Sequence, residues 1–205
     1  FLKWDLEKLD FYEINQKVGT PFIIKPVNWL QSSGVVKIKK KKELEDYKND
    51  LSLMQKNCHD RWFKSETFIV EEYIPWDMYS IDYFVDADQK IICSKPVNVR
   101  LWIDIWINDF FNLARIVTIE TDQEFKSIDL QWFIDDTVKA AWIKNTFVHH
   151  EFKLTPWKQL KTIELNGRIW WWRQEIMNVS YGIDLFRFVI WDEQKDKVLE
   201  INSMA

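Results

Sequence analysis

Two alternating runs, "TFVHHEFKLT" (146–155) and "QLKTIEL" (159–165), are separated by a short segment containing Pro156 and Trp157. Alternation with period two marks half-buried strands, and so short a connection folds them back on each other as an antiparallel hairpin. With Pro156 to Gln159 as a four-residue loop, Thr155 pairs with Leu160, Glu151 lies opposite Glu164, and His149 lies opposite Asn166. Those last four side chains share one face, while Val148, His150, Phe152 and Leu154 point the other way with Ile163 and Leu165. Directly opposed residues have Cβ atoms about 4.5–5.5 Å apart, and like charges there destabilise a sheet. Two readings follow. A divalent cation between the carboxylates converts the repulsion into attraction, and a set of oxygen ligands favours Mg²⁺ with phosphates completing its octahedron. Alternatively, both glutamates lie in solvent at a sheet edge beside Lys153 and Lys161, and a one-residue slip in register separates them.

The rest of the chain reads as short strands with a few helices. "FIIKP" (22–26) is an apolar run closed by proline, and "VVKI" (35–38) returns as a second strand. The connecting loop carries Ser32, Ser33 and Gly34, small residues that let backbone N–H groups approach an anion. "KKELEDYKNDLSLMQKN" (41–57) is predicted helical, with Leu44, Tyr47, Leu51 and Met54 on one face. "TFIVEEYI" (67–74) and "YSIDYFVD" (79–86) read as strands, and "KIICSKPV" (90–97) pairs back across Ala87 to Gln89. Within the first of these, "VEEYI" (70–74) is a charged interruption, read either as a strand leaving the core to border a cleft or as a solvated edge. Helices are expected over 127–142 and over 182–191, the second starting at Gly182 and Asp184. The class is α+β, dominated by antiparallel hairpins.

Composition narrows the functional classes. A net charge of −4 over 205 residues supplies no global basic field for nucleic acid. The one basic run, "KIKKKK" (37–42), leads directly into "ELEDYKND" and reads as a solvated helix start. No stretch reaches the roughly 18 apolar residues of a membrane span, and no signal peptide is visible. Cys58 and Cys93 have no metal-ligand spacing, so free thiols in a cytoplasmic protein are expected. The chain begins at Phe1 rather than at a methionine, so a fragment with an upstream part absent is expected.

In order and spacing, "PFIIKP", "QSSGV", "FIVEEYI", "YSIDYFVD", "HHEFKLT" and "IELNGRI" resemble the ATP-grasp superfamily of carboxylate–amine ligases. Amino-acid and dipeptide ligases look nearest, and D-alanine–D-alanine ligase is a more distant relation. The resemblance implies an ATP-grasp fold in which two α+β lobes, residues 1–74 and 75–205, enclose a nucleotide cleft between antiparallel sheets. It implies that Lys25 contacts the phosphates of ATP, with the Ser32–Ser33–Gly34 loop folded over them. Glu71, Glu72, Tyr73 and Ile74 would meet adenine through backbone groups and an acidic side chain. The family commonly has an acid for the ribose where Met78 stands, and Asp77 next to it is the substitute. Glu151, Glu164 and Asn166 match the family's Mg²⁺ ligands, and Arg168 falls where the family places a cation against the transferred phosphate. The implied reaction joins a small-molecule carboxylate to an amine through an acylphosphate, releasing ADP and phosphate. Nucleic acid and membrane are not expected as partners, and a homodimer is compatible with the family. The other classes are a catalytically silent nucleotide-binding module and a non-enzymatic Trp-rich protein that binds a ligand or partner.

The chain departs from the family at its tryptophans. Glycine averages about 7% of residues, so about 14 are expected in a chain of this length. It has 4, and 13 tryptophans. Trp29, Trp76, Trp157 and Trp170 to Trp172 stand where the family's pattern has glycine or other small residues. Trp102, Trp106 and Trp142 lie in contexts that read naturally with glycine. Tryptophan supplies neither positive φ nor close backbone approach cheaply. The pattern therefore reads as glycine positions carrying tryptophan, against the alternative of aromatic enrichment for stacking on a ligand.

Overall fold

The computed structural model describes residues 2–27, 32–57, 65, 67–107, 109–169, 172–182, 184 and 186. Two compact units account for them, Phe1–Pro75 with Leu101–Leu113, and Trp76–Arg100 with Ala114–Ala205. In the first unit, β1 (Leu2–Asp5), β2 (Phe22–Pro26), β3 (Val36–Ile38) and β4 (Thr67–Glu72) form an antiparallel sheet in the order β1-β4-β2-β3. Alternation sends Phe22, Ile24, Ile38, Phe68 and Val70 to one side, where all are fully buried. Against them pack Ile14 of α1 (Phe11–Val18) and Leu44 and Leu51 of α2 (Lys41–Asn57). Each such side chain contributes about 1.5–3 kcal/mol by leaving water, so the expected hairpin and helix are locked together through one apolar face.

The second unit is a six-stranded sheet in the order β10-β9-β5-β7-β8, with β6 also pairing β5. Its strands are β5 (Met78–Val85), β6 (Ile91–Cys93), β7 (Val97–Leu101), β8 (Asn112–Ile116), β9 (Thr146–Leu154) and β10 (Leu160–Asn166). On one side Tyr79, Ile81, Tyr83, Val85, Val148, Phe152 and Leu154 form a core with Phe125 of α3 (Ile119–Phe125) and Leu130, Ile134 and Val138 of α4 (Leu130–Ala140). The other side carries polar groups, and α5 (Arg173–Tyr181) supplies Met177 against Val97 there. The helix expected over 127–142 is thus α4, somewhat shortened. The one expected over 182–191 lies almost wholly outside the described residues.

The β9–β10 register differs from the expected one near the turn and agrees with it at the glutamates. Leu154 pairs with Leu160, one residue off the expected Thr155–Leu160 pairing. Thr155 N–H donates to Gln159 O and Lys158 N–H donates to Thr155 O, both at 2.9 Å, and Lys158 takes φ 59°. This is the three-residue hairpin loop with a left-handed last position. A bulge between Thr162 and Glu164 then absorbs one residue, so Glu164 pairs with Glu151 and Asn166 with His149. It also breaks the expected alternation along β10 at Ile163. Leu160 and Leu165 both pack on the core although their sequence parity is opposite.

His150 is fully buried on the core side, its ring stacked on Phe133 at 5.1 Å and its Nε2 3.0 Å from Thr162 Oγ1. Burial, assisted by the neighbouring charge of His149 and opposed by Glu151, pushes its pKa down to about 3. The unfolded chain takes up this proton near pH 6.5 and the folded one does not. Stability contributed by neutral His150 is therefore complete above pH 6.5 and declines as pH falls toward 3. By pH 4.5 the decline is about 2–3 kcal/mol. Urea titrations at pH 7 and 4.5 should show a smaller acid loss for His150→Phe than for the parent, and equal losses would contradict the assignment.

Two tryptophans occupy backbone conformations suited to glycine. Trp142 follows α4 with φ 54°, its N–H bonds Lys139 O at 3.2 Å, and Ile143 N–H bonds Val138 O at 3.1 Å. That pair of bonds is the Schellman helix end, whose left-handed residue is usually glycine. Trp106 ends the short 3-10 turn Trp102–Ile105 at φ 71°. The indoles are 85% and 97% exposed, so packing offsets little of the left-handed cost of roughly 1–2 kcal/mol. Helix α5 makes the comparable exit with Gly182 at φ 66°. Trp142→Gly and Trp106→Gly should each raise the urea midpoint, corresponding to about 1 kcal/mol; a lowered midpoint would contradict this. Trp76, Trp102, Trp157 and Trp172 are absent from the positive-φ residues. At the hairpin loop the left-handed residue is Lys158, not Trp157. Trp29, Trp170 and Trp171 lie outside the described residues.

Candidate functional site

The polar side of the second unit's sheet is a grid built by register. Ser80 of β5 pairs with Glu151 of β9, which pairs with Glu164 of β10. In the neighbouring row Asp82 pairs with His149, which pairs with Asn166. Alternate residues of three adjacent strands thus place six polar side chains on one face. Asp82, His149 and Ser80 are buried, Glu151 and Asn166 are partly so, and Glu164 is exposed.

Two arginines compensate this face, Arg173 at the Asp82 row and Arg115 at the Ser80–Glu151 row. Arg173, the first residue of α5, is fully buried, with Nε 2.9 Å from Asp82 Oδ2. It also donates to Ser80 O at 2.9 Å and Lys95 O at 2.6 Å. Arg115 of β8 donates to Ser80 Oγ at 2.6 Å and to Glu151 Oε1 at 3.3 Å. His149 stands between carboxylates, Nδ1 3.0 Å from Asp82 Oδ1 and Nε2 3.3 Å from Glu151 Oε1.

These contacts set the charge states. Burial works against a charged His149, but its hydrogen bonds with Asp82 and Glu151 outweigh burial and raise its pKa. Burial likewise works against an ionised Glu151, yet His149 and Arg115 together hold its pKa below the usual carboxylate value. Desolvation pushes Arg173 down to about 10 against the attraction of Asp82. Burial also lowers Arg115, and Arg168 acts in the same direction by like charge. Glu151 is consequently an anion at neutral pH, directly opposite a second carboxylate.

The remaining expected site residues fall as follows. Arg168 and Gly167 are exposed just past β10, and Arg168 N–H bonds Asn166 O at 2.8 Å. Asp77 precedes β5 and accepts from Arg100 at 3.3 Å, while its carbonyl accepts from Leu154 N–H. In the first unit Lys25 Nζ lies 2.8 Å from Glu71 Oε1. Lys37 is placed over the Tyr73 ring at 3.3 Å, and burial lowers its pKa. Ser32 and Gly34 both take positive φ, 58° and 70°, in the turn before β3, with Ser33 between them. Glu72 ends β4, and Tyr73 and Ile74 follow it. Lys25 and Glu71 are thus brought together in one unit, and Glu151, Glu164 and Asn166 in the other.

Asp82 and Arg173 carry much of this electrostatics and were not singled out in the sequence. The available signal was the pair Ser80 and Asp82, polar residues at alternate positions of a strand otherwise apolar enough to be central. Arg173 offers no local signal, since its partner lies 91 positions upstream. A cavity of about 480 Å³ lined by Ser127, Trp132, Phe133 and Lys158 contains none of these residues.

Donor chemistry decides what the grid could bind. Among the described residues there is no group of three or more His, Cys, Asp or Glu arranged for a metal ion. The Ser80–Glu151–Glu164 row offers two opposed carboxylates, with the Asn166 amide in the next row beside them. That set fits a hard cation which takes few protein ligands and completes its shell with water or phosphate oxygens. It does not suit a thiophilic metal. Among the described residues no helix is long and apolar enough to cross a membrane.

The ATP-grasp domain family matches residues 18–172. No curated protein matches the chain. Among solved structures, the L-amino acid ligase from Bacillus licheniformis is similar with a TM-score of 0.62 at 20% identity, covering 92% of this chain and 44% of its own. The biotin carboxylase–β,γ-ATP complex from Campylobacter jejuni gives 0.64 at 18%, covering 93% and 39%. D-alanine–D-alanine ligase from Bacillus anthracis gives 0.54 at 17%, covering 82% and 50%. The chain therefore spans half or less of the length of each of these proteins.

Proposed function

The chain belongs to the ATP-grasp family, and we propose that the protein containing it is an ATP- and Mg²⁺-dependent ligase joining a carboxylate to an amine. The observation that supports this reading most is the in-register pair Glu151–Glu164 with Asn166 on the same face. When bound, Mg²⁺ would neutralise phosphate charge and orient the transferred group. Glu151, Glu164 and Asn166 would hold it by oxygen. In this reading the two units are the two lobes of the fold. Lys25 and the Ser32–Gly34 turn bind phosphate oxygens, and Glu71 to Ile74 bind adenine. Asp77 takes the ribose hydroxyls, and Arg168 faces the charge that develops on the transferred phosphate.

A substrate carboxylate oxygen attacks the γ-phosphorus and ADP leaves, forming an acylphosphate. An amine then attacks the acyl carbon, inorganic phosphate leaves, and the nitrogen gives up a proton. The residues named act by positioning and charge compensation, without a covalent intermediate on the protein. The carboxylate substrate in this reading is an amino acid. The test is Mg²⁺-dependent ADP release by the full-length protein across a panel of amino acids taken in pairs. Release that requires both substrates supports the ligase. Binding of a non-hydrolysable ATP analogue without any release would instead assign a silent nucleotide-binding module.

A further inference from the structure

We propose that His149 is a positioning residue, a two-sided clamp that fixes the Glu151 carboxylate for the metal, with Asp82 and Arg173 as its anchor. The inference rests on the ligase reading above and concerns residues to which that reading gives no role.

The anchor is held by burial and by contacts to backbone. Arg173 is fully buried, and its Nη2 donates to the carbonyls of Ser80 and Lys95, at 2.9 and 2.6 Å. Both carbonyls belong to backbone, so the guanidinium cannot swing without breaking from β5 and the segment after β6. Its Nε faces Asp82 Oδ2 at 2.9 Å, which leaves Oδ1 of the same carboxylate toward His149 at 3.0 Å. The imidazole is thereby fixed at Nδ1, and its Nε2 is carried to Glu151 Oε1 at 3.3 Å. Arg115 reaches the same oxygen, also at 3.3 Å, while tied to Ser80 Oγ. Both contacts converge on Oε1, and Oε2 takes part in neither.

The result is an asymmetric carboxylate pair. Glu151 is held from behind through one oxygen, whereas Glu164 opposite it is exposed. Metal sites gain affinity when ligand orientation is fixed by such outer contacts. An imidazole suits this task because its two nitrogens point in divergent directions and serve two carboxylates at once. A primary amide reaches only one of them. Glutamine places its amide nitrogen near the position of Nε2, toward Glu151, and asparagine places its own near Nδ1, toward Asp82.

That difference makes the experiment. Mn²⁺ binding in the presence of a non-hydrolysable ATP analogue would be measured for the full-length parent, His149→Asn and His149→Gln, with analogue binding in EDTA and thermal midpoints alongside. His149→Asn should weaken Mn²⁺ by about 10–100-fold, and His149→Gln by clearly less. Binding of the analogue in EDTA should be the same in all three. Equal losses in Asn and Gln variants, tracking their thermal midpoints, would reduce His149 to a structural residue and overturn the clamp. Unchanged Mn²⁺ affinity in both variants would overturn it as well. Failure of the parent to bind Mn²⁺ with the analogue would overturn the ligase reading along with the clamp, so the two failures are distinguishable.

Discussion

Glu164→Gln should lower Mg²⁺-dependent ADP release by on the order of 10²–10³-fold, the loss that follows removal of one preorganised electrostatic contact to a reacting group. It should do so without destabilising the protein. Glu164 is exposed and sits directly across from Glu151. Neutralising one of two like charges so placed relieves repulsion worth about 0.2–1 kcal/mol. Lower activity with equal or slightly higher stability is a combination that a purely structural glutamate does not produce. Glu151→Gln should lose activity similarly but lose stability too, because Arg115 and His149 both converge on its carboxylate. Steady-state ADP release and urea midpoints on the same preparations separate the two variants. Full activity in Glu164→Gln would remove the pair from the mechanism.

Arg173→Met should cost about 3–5 kcal/mol, the penalty for removing one member of a buried ion pair, with His149 left in contact with Asp82. Asp82 is fully buried and has Arg173 at 2.9 Å. Methionine matches much of the volume but supplies no donors, so Ser80 O and Lys95 O also lose theirs. Against a typical stability of about 5–15 kcal/mol, such a loss is visible as a large drop in urea midpoint. Asp82→Asn in the same background should add much less than it does alone, since the two residues act as one unit. A cost below about 1 kcal/mol for Arg173→Met would mean that the pair is solvated rather than buried.

Much of this arrangement was legible in the sequence, at the places where side-chain period leaves little choice. Alternation puts His149 and Glu151 on one face of β9, whereas the agreement at Glu164 and Asn166 arises because a shorter loop and a bulge offset each other. The turn chemistry was not legible in the same way. Pro156 and Trp157 suggest a loop without fixing its length, and the left-handed residue turned out to be Lys158. The compensating bulge at Ile163 has no sequence marker, since any residue can be the extra one. Helices α1, α3 and α5 were missed; each is nine residues or shorter, too short to announce itself by period. The Arg173–Asp82 pair is a contact between distant segments, and only tertiary structure brings it together. The tryptophans are a mixed case. Trp106 and Trp142 do stand where the backbone asks for glycine, whereas Trp76 and Trp157 meet edge-to-face at 6.1 Å.

The most direct test of the central claim is a crystal of the full-length protein grown with Mn²⁺ and a non-hydrolysable ATP analogue, with anomalous scattering used to locate the metal. A metal peak bonded to Glu151, Glu164 and a phosphate oxygen is the predicted result. An ordered nucleotide with its metal away from both glutamates would contradict it.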